Sequence, residues 1–318
     1  MGISIAKPGI LTTVQDLGRI GLAASGINRS GVMDRVAVRL LNALLGNEER
    51  SAVLEMHFPA AEIVFEAKTV CAVGGADFSP VLNGRSISNW KVFVANKGDV
   101  LKFKGRKLGS WCYLAVSGGF KVPQWHGSSS TNLVAHCGGH EGRALIKGDK
   151  IPIHTNRKSV GTIGKSLAHD ILPCYSTNPI IRLIESGETR QLSKETLKQM
   201  TATNFTVSVE ADRMGYRLSG APIATKKSFE LLTSAATFGT VQLLPDGQLV
   251  ILMADHQTSG GYPRVGAVIE VDLPQLAQAS PGNQLTFEFV TVEEAEFAFE
   301  KFERDLRILK TAIGGLSS

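Results

Sequence analysis

The chain has 318 residues, 43% of them hydrophobic, which supplies one large or two ordinary cores and excludes a disordered polymer. Lys and Arg total 34 against 29 Asp and Glu, a net charge of +5. The basic residues gather only in short groups such as Lys102-Phe103-Lys104-Gly105-Arg106-Lys107, so nucleic acid is not an expected partner. Cys71, Cys112, Cys137 and Cys174 are widely spaced, which suits reduced thiols. No basic-then-apolar leader opens the chain and no apolar run approaches the ~18 residues of a membrane span. A cytoplasmic chain without membrane contact is expected.

In chain order, the first feature is a polar, glycine-rich segment, Thr12-Thr13-Val14-Gln15-Asp16-Leu17-Gly18-Arg19-Ile20-Gly21. A helix is expected over 34–45, with Val38, Leu41 and Leu45 at helical spacing and a stop at Gly46-Asn47. Short strands separated by Gly, Asn or Pro follow: Glu62–Phe65, 70–73, 92–94, Val100–Phe103 and 111–116. The second half repeats this texture at Ile180–Ile184, 205–209, 241–244, 249–253, 265–271 and 285–290. Two more helices are expected. One covers 273–279, and the other begins at a Thr291/Glu294 capping box and carries Ala295, Phe299, Phe302, Leu306, Leu309 and Ile313 as an apolar stripe.

A faint internal repeat pairs Lys97-Gly98-Asp99-Val100-Leu101-Lys102-Phe103 with Pro281-Gly282-Asn283-Gln284-Leu285-Thr286-Phe287, and Leu54-Glu55 with Phe229-Glu230. The order is kept, so two similar β domains are expected, 1–174 and 175–318, joined through the Pro-containing stretch 172–179.

Several motifs carry competing readings. Ser159-Val160-Gly161-Thr162-Ile163-Gly164-Lys165-Ser166 imitates a phosphate loop, but a serine stands where the first glycine is required, and a surface loop is the simpler reading. His136-Cys137-Gly138-Gly139-His140 offers three metal ligands where structural zinc takes four, so no metal is expected. The segment Asp255-His256-Gln257-Thr258-Ser259-Gly260-Gly261-Tyr262-Pro263 follows an apolar strand directly and sets a carboxylate, an amide and hydroxyls beside a Gly-Gly pair. It has the makings of a binding loop.

Taken with Gly31-Val32-Met33-Asp34, Tyr113-Leu114-Ala115-Val116-Ser117-Gly118-Gly119, Gly127-Ser128-Ser129-Ser130-Thr131, Gly138-Gly139-His140-Glu141-Gly142-Arg143 and Asp212-Arg213-Met214-Gly215-Tyr216-Arg217-Leu218, these segments resemble the successive motifs of the KipA family. That family includes the 5-oxoprolinase C subunit, allophanate hydrolase subunit 2 and the carboxyltransferase region of urea carboxylase. Val32 and Ser259 depart conservatively from its pattern. The resemblance implies a mainly β fold of two tandem cyclophilin-like β-barrel domains with a few helices, including the C-terminal amphipathic one. It also implies KipI-like and LamB/YcsF-like subunits as partners in ATP-dependent opening of 5-oxoproline to glutamate. Two alternatives come with it: a carboxyltransferase acting on urea or another amide, and a non-catalytic KipI-binding regulator of a sensor kinase. No biotinylation segment is seen, so biotin is not expected on this chain.

A lactam or urea is a poorly reactive amide. It needs a base near its N–H or donors at its carbonyl oxygen, held in a dry, preorganised site. The expected arrangement places substrate between the two halves, with Asp255 as base or N–H acceptor, Gln257 and Thr258 orienting the amide, and Tyr262 lining the pocket. Arg19 or Arg213 would bind carboxylate or phosphate. Gln15, Asp16, Ser128, Thr131, Arg143 and Asp212 complete the expected substrate-binding set.

Overall fold

The computed structural model describes residues 2–154, 163–223 and 232–314. The chain divides into two compact units. Unit 1 takes Met1–Arg19, Ser30–Pro173 and Glu303–Ser318, and unit 2 takes Ile20–Arg29 and Cys174–Phe302. Both are built from β-strands, as expected. Among the described residues no helix is long and apolar enough to cross a membrane, and all four cysteines are free.

Among the described residues, unit 1 holds eleven strands: β1 (Gly2–Lys7), β2 (Leu11–Gln15), β3 (Val53–His57), β4 (Glu62–Phe65), β5 (Thr69–Asp77), β6 (Pro80–Leu82), β7 (Arg85–Ser86), β8 (Val92–Ala95), β9 (Val100–Phe103), β10 (Leu108–Val116) and β11 (Lys150–Pro152). They form a six-stranded sheet, β11-β1-β4-β9-β6-β7, and a five-stranded sheet, β2-β3-β10-β5-β8. Side chains alternate between the faces of a strand, and the register of the second sheet shows what each face does. Val14, Leu54, Leu114 and Val73 form one row across β2, β3, β10 and β5, buried in a core shared with Ile3, Ile5, Ile63, Phe65 and Leu101.

The neighbouring row, Thr13, Glu55, Tyr113 and Gly74, faces the other way. Its β10 and β5 end is covered by α1 (Arg35–Leu44). Met33 N–H donates to Glu55 Oε2 at 2.7 Å, Tyr113 O–H donates to the same oxygen at 3.0 Å, and Asp34 N–H donates to Tyr113 Oη at 2.9 Å. Asp34 then caps the helix, accepting from Ala37 N–H at 2.8 Å. Gly46, at φ +65°, ends it where the sequence placed the stop. A Cβ on Gly74 would stand 2.8 Å from the Trp90 ring and 3.1 Å from Leu41 Cδ2, so the bare backbone is what lets α1 seat.

Unit 2 contains β12 (Ile180–Ile184), β13 (Phe205–Val207), β14 (Gly215–Ser219), β15 (Ser234–Ala235), β16 (Thr240–Leu243), β17 (Leu249–Leu252), β18 (Ser259–Gly260), β19 (Arg264–Val268) and β20 (Gln284–Phe289). Seven of these close into a barrel, β12-β19-β16-β17-β14-β13-β20, the last strand pairing in parallel with the first. Closure leaves no exposed strand edge. Ile181, Leu183, Phe205, Tyr216, Leu218, Val241, Leu243, Leu249, Ile251, Leu285 and Phe287 are buried. β15 and β18 form a separate ribbon.

The helices are α1, α2 (Lys194–Ala202), α3 (Leu273–Ala277) and α4 (Val292–Gly314). The capping box at α4 is present in both directions: Thr291 N–H reaches Glu294 Oε2 at 2.8 Å, and Glu294 N–H reaches Thr291 Oγ1 at 3.2 Å. Leu306 and Ile313 of its stripe are buried, whereas Phe299 is exposed. Sequence periodicity missed α2 because only Thr196 and Met200 of its residues are buried, too few to mark a face.

The faint repeat corresponds to the same turn in both units. Asn96 N–H donates to Asp99 Oδ2 at 2.7 Å and Asp99 N–H returns to Asn96 O at 3.1 Å. In the second copy, Ser280 N–H donates to Asn283 Oδ1 at 2.9 Å and Asn283 N–H returns to Ser280 O at 2.9 Å. Gly98 and Gly282 supply the positive φ, +89° and +87°. The Phe229-Glu230 half of the other match, and residues 159–162 of the phosphate-loop imitation, lie outside the described residues.

Candidate functional site

The expected site residues fall into two clusters, one in each unit. In unit 1, β2 delivers Gln15 to its end, where Gln15 Nε2 donates to Thr13 Oγ1 and to Thr131 O, both at 3.1 Å. Asp16 follows and is buried. Its carboxylate accepts from Ser128 O–H at 2.7 Å, Ser130 O–H at 2.6 Å, Ser129 N–H at 2.7 Å and Gly18 N–H at 2.8 Å. Asp16 thus organises the 127–131 loop. Thr131 closes it, its N–H and O–H both donating to Val14 O, at 3.0 and 2.9 Å.

Arg19 is buried. It donates to Ser130 O and lies over the Trp125 ring, its Cζ 4.7 Å from the centroid. The 138–142 turn packs against the same loop. A Cβ on Gly138 would stand 2.1 Å from Ser130 O, and one on Gly139 would stand 1.9 Å from Thr131 Oγ1. These glycines are there for close approach. Arg143 points elsewhere, forking onto Asp149 at 2.7 and 3.0 Å and onto Glu141 at 2.6 Å. The Arg143 hydrogen bonds hold the Asp149 carboxyl below its ordinary range. His140 Nε2 lies 3.5 Å from Asp149, and among the described residues no group of three or more His, Cys, Asp or Glu side chains is arranged to hold a metal ion.

In unit 2, Asp212 accepts from Met214 N–H at 2.8 Å and Gly215 N–H at 3.1 Å, the turn that feeds β14. Arg213 and Asp255 are both buried and form a two-bond fork, Nε to Oδ2 at 2.7 Å and Nη2 to Oδ1 at 3.2 Å. Asp255 N–H also donates to Arg213 O at 2.7 Å, so the 212–215 turn and the loop after β17 are tied by backbone and side chain together. Asn28 secures the loop further, its Nδ2 donating to Asp255 O at 3.1 Å and His256 O at 3.3 Å. His256, which the sequence left without a role, is buried with its ring Nδ1 against Gln257 O.

Beyond His256 the loop opens outward. Thr258 O accepts from Ala236 N–H at 3.0 Å, at the start of the β15–β18 ribbon. Gln257 and Tyr262 are exposed and line a cavity of about 460 Å³ on the outer wall of the barrel. Its floor comes from one face of three neighbouring strands: Gly215 and Arg217 on β14, Val250 and Leu252 on β17, and Gln242 on β16. Gln242 escaped sequence reasoning. Its one signal was an amide inside the otherwise apolar strand Val241-Gln242-Leu243-Leu244.

The model of the carboxyltransferase domain, subdomain A and B, matches residues 25–289. The chain is 37% identical over 286 residues to the 5-oxoprolinase C subunit of Haemophilus influenzae, with 89% of each chain covered. It is 33% identical over 294 residues to the Escherichia coli protein of the same name, covering 92% of this chain and 93% of that one. Among solved structures, the urea amidolyase of Kluyveromyces lactis matches with a TM-score of 0.91 at 26% identity, over 97% of this chain and 20% of the other. A shared fold and near-full-length identity above 30% leave one assignment: the chain belongs to the carboxyltransferase domain family, subdomain A and B, beside the proteins named as the C subunit of 5-oxoprolinase.

Proposed function

We propose that this chain is the C subunit of an ATP-dependent 5-oxoprolinase, opening 5-oxoproline to glutamate together with KipI-like and LamB/YcsF-like subunits. The observation that carries this reading is the 37% identity, over 89% of both chains, to a protein of that name. Ring opening adds water across a lactam C–N bond. Amide resonance makes that carbonyl a weak electrophile, and ATP hydrolysis in the complex supplies the driving force.

What this chain contributes is positioning. Gln257 and Tyr262, on the wall of the 460 Å³ cavity, are placed to meet a small polar substrate, and Thr258 holds the loop beside them. Arg213 takes both oxygens of Asp255, so this carboxylate serves as an anchor of the loop. In unit 1, Asp16 and Arg19 shape the 127–131 loop in the same way.

The test is the reconstituted complex of all three proteins, assayed for ATP hydrolysis with and without 5-oxoproline and for glutamate release. Stimulated hydrolysis with stoichiometric glutamate is expected, and its absence with all three proteins present would sink the reading. The likeness to urea amidolyase favours a second reading, carboxyl transfer to urea or another amide, with biotin carried by another chain. Urea-dependent loss of carboxyl from carboxybiotin, with no response to 5-oxoproline, would replace the first reading by the second.

A further inference from the structure

Arg217, Val250 and Gln242 form a row across the outer wall of the unit 2 barrel, since Arg217 and Gln242 are each the register partner of Val250. Neighbouring strands lie about 4.8 Å apart, so the backbones of Arg217 and Gln242 stand roughly 9.5 Å apart with the Val250 side chain between them on the same face. All three line the cavity that Gln257 and Tyr262 border.

Gln242 is 2% exposed, and among the described residues its Nε2 has no hydrogen-bond partner. A buried donor without an acceptor is destabilising and therefore asks for a reason. Gly260 supplies part of it. A Cβ there would stand 2.8 Å from Gln242 Nε2, so any side chain at 260 would press on the amide.

At the other end of the row Arg217 is only loosely engaged, with Nε 3.4 Å from Glu210 Oε2 and Nη1 3.5 Å from Gln248 Oε1. Asp246, also on the rim, has its Oδ1 occupied by Gln248 N–H at 3.0 Å. The cavity thus offers an amide donor, an apolar floor and a cation in line.

We propose that this cavity binds a small amide acid, with Gln242 Nε2 donating to the amide carbonyl oxygen, Val250 beneath the carbon skeleton and Arg217 taking the carboxylate. The choice of 5-oxoproline as the occupant rests on the reaction proposed above, whereas the need for an acceptor at Gln242 does not. A site built to hydrogen-bond a substrate group discriminates strongly once that bond is removed.

The full chain is titrated by calorimetry with 5-oxoproline and with 2-pyrrolidinone, the same lactam without the carboxylate. Gln242→Met weakens both by about tenfold or more, whereas Arg217→Gln weakens only 5-oxoproline. Gln242→Met also melts no lower than the parent chain, because it removes an unpartnered buried amide, so lost binding is not lost folding. Gly260→Ala reaches the same amide from outside and weakens both ligands. Unchanged affinity in Gln242→Met and Gly260→Ala, or no binding of either lactam to the parent chain, overturns the site. A complex that opens 5-oxoproline with Gln242→Met at full rate also overturns the site and leaves the proposed function standing. Gln242-dependent binding beside an inactive complex supports the site and removes the function.

Discussion

Ser130 and Asp16 hold each other through a single hydroxyl, which accepts from Asp16 N–H at 3.0 Å and donates to Asp16 Oδ1 at 2.6 Å. A serine oxygen has one proton and two lone pairs, so both bonds are made without conflict.

Removing the carboxylate should therefore unravel the loop. Asp16→Ala leaves two hydroxyls and two backbone N–H groups without their acceptor and is expected to cost about 3 kcal/mol or more. Asp16→Asn, which keeps one acceptor oxygen, should cost less. Denaturant unfolding of both variants checks the order, and an Asp16→Ala chain as stable as the parent would contradict the role assigned here.

The Arg213–Asp255 fork makes a different prediction. Arg213→Met strands a buried carboxylate and is expected to lose roughly 3–5 kcal/mol, while Arg213→Met with Asp255→Leu removes both charges and regains most of it. A double-mutant cycle on unfolding free energy measures the coupling. Additive effects would mean that the two groups do not support each other.

Acid should destabilise both units through paired carboxylates. Hydrogen bonds from Arg143 hold Asp149 below its ordinary range, and those from Arg264 do the same for Glu188. A depressed folded-state pKa gives stability that is present above the unfolded value and is lost as pH falls through the folded one. The contribution of these two carboxylates to unfolding free energy is thus expected to be flat above about pH 5 and to decline below it. Asp149→Asn should make the parent-to-variant difference shrink in that acid window, measured by denaturant titration at several pH values.

The start of α4 can be tested alone. Thr291→Ala deletes the oxygen that Glu294 N–H uses and should cost about 1 kcal/mol. Amide exchange at Glu294 is expected to accelerate about fivefold, and unchanged exchange would show that the cap does not hold that turn.

Much of the strand pattern was legible in residue order. Glu62–Phe65, Val100–Phe103 and Ile180–Ile184 occur where apolar alternation and flanking turn residues placed them. β2 was not, and the reason is physical. Both faces of its sheet are buried, one against the apolar core and the other carrying Thr13 and Glu55 beside Tyr113, so neither faces water. Strand alternation marks a sheet only when one face is wet.

Residue order by itself determined the mainly β character, the caps of α1 and α4, the twin turns at Gly98 and Gly282 and the family motifs, because each depends on neighbours within a few positions. Tertiary structure decided what the polar residues do. Asp16 meets Ser130 across 114 positions and Arg213 meets Asp255 across 42, so only the folded chain turns two of the expected substrate-binding residues into loop anchors. It also places Gln242, an amide unremarkable in its own strand, on the cavity wall beside Arg217. Contacts of that span are set by sheet register and loop packing, which no local pattern encodes.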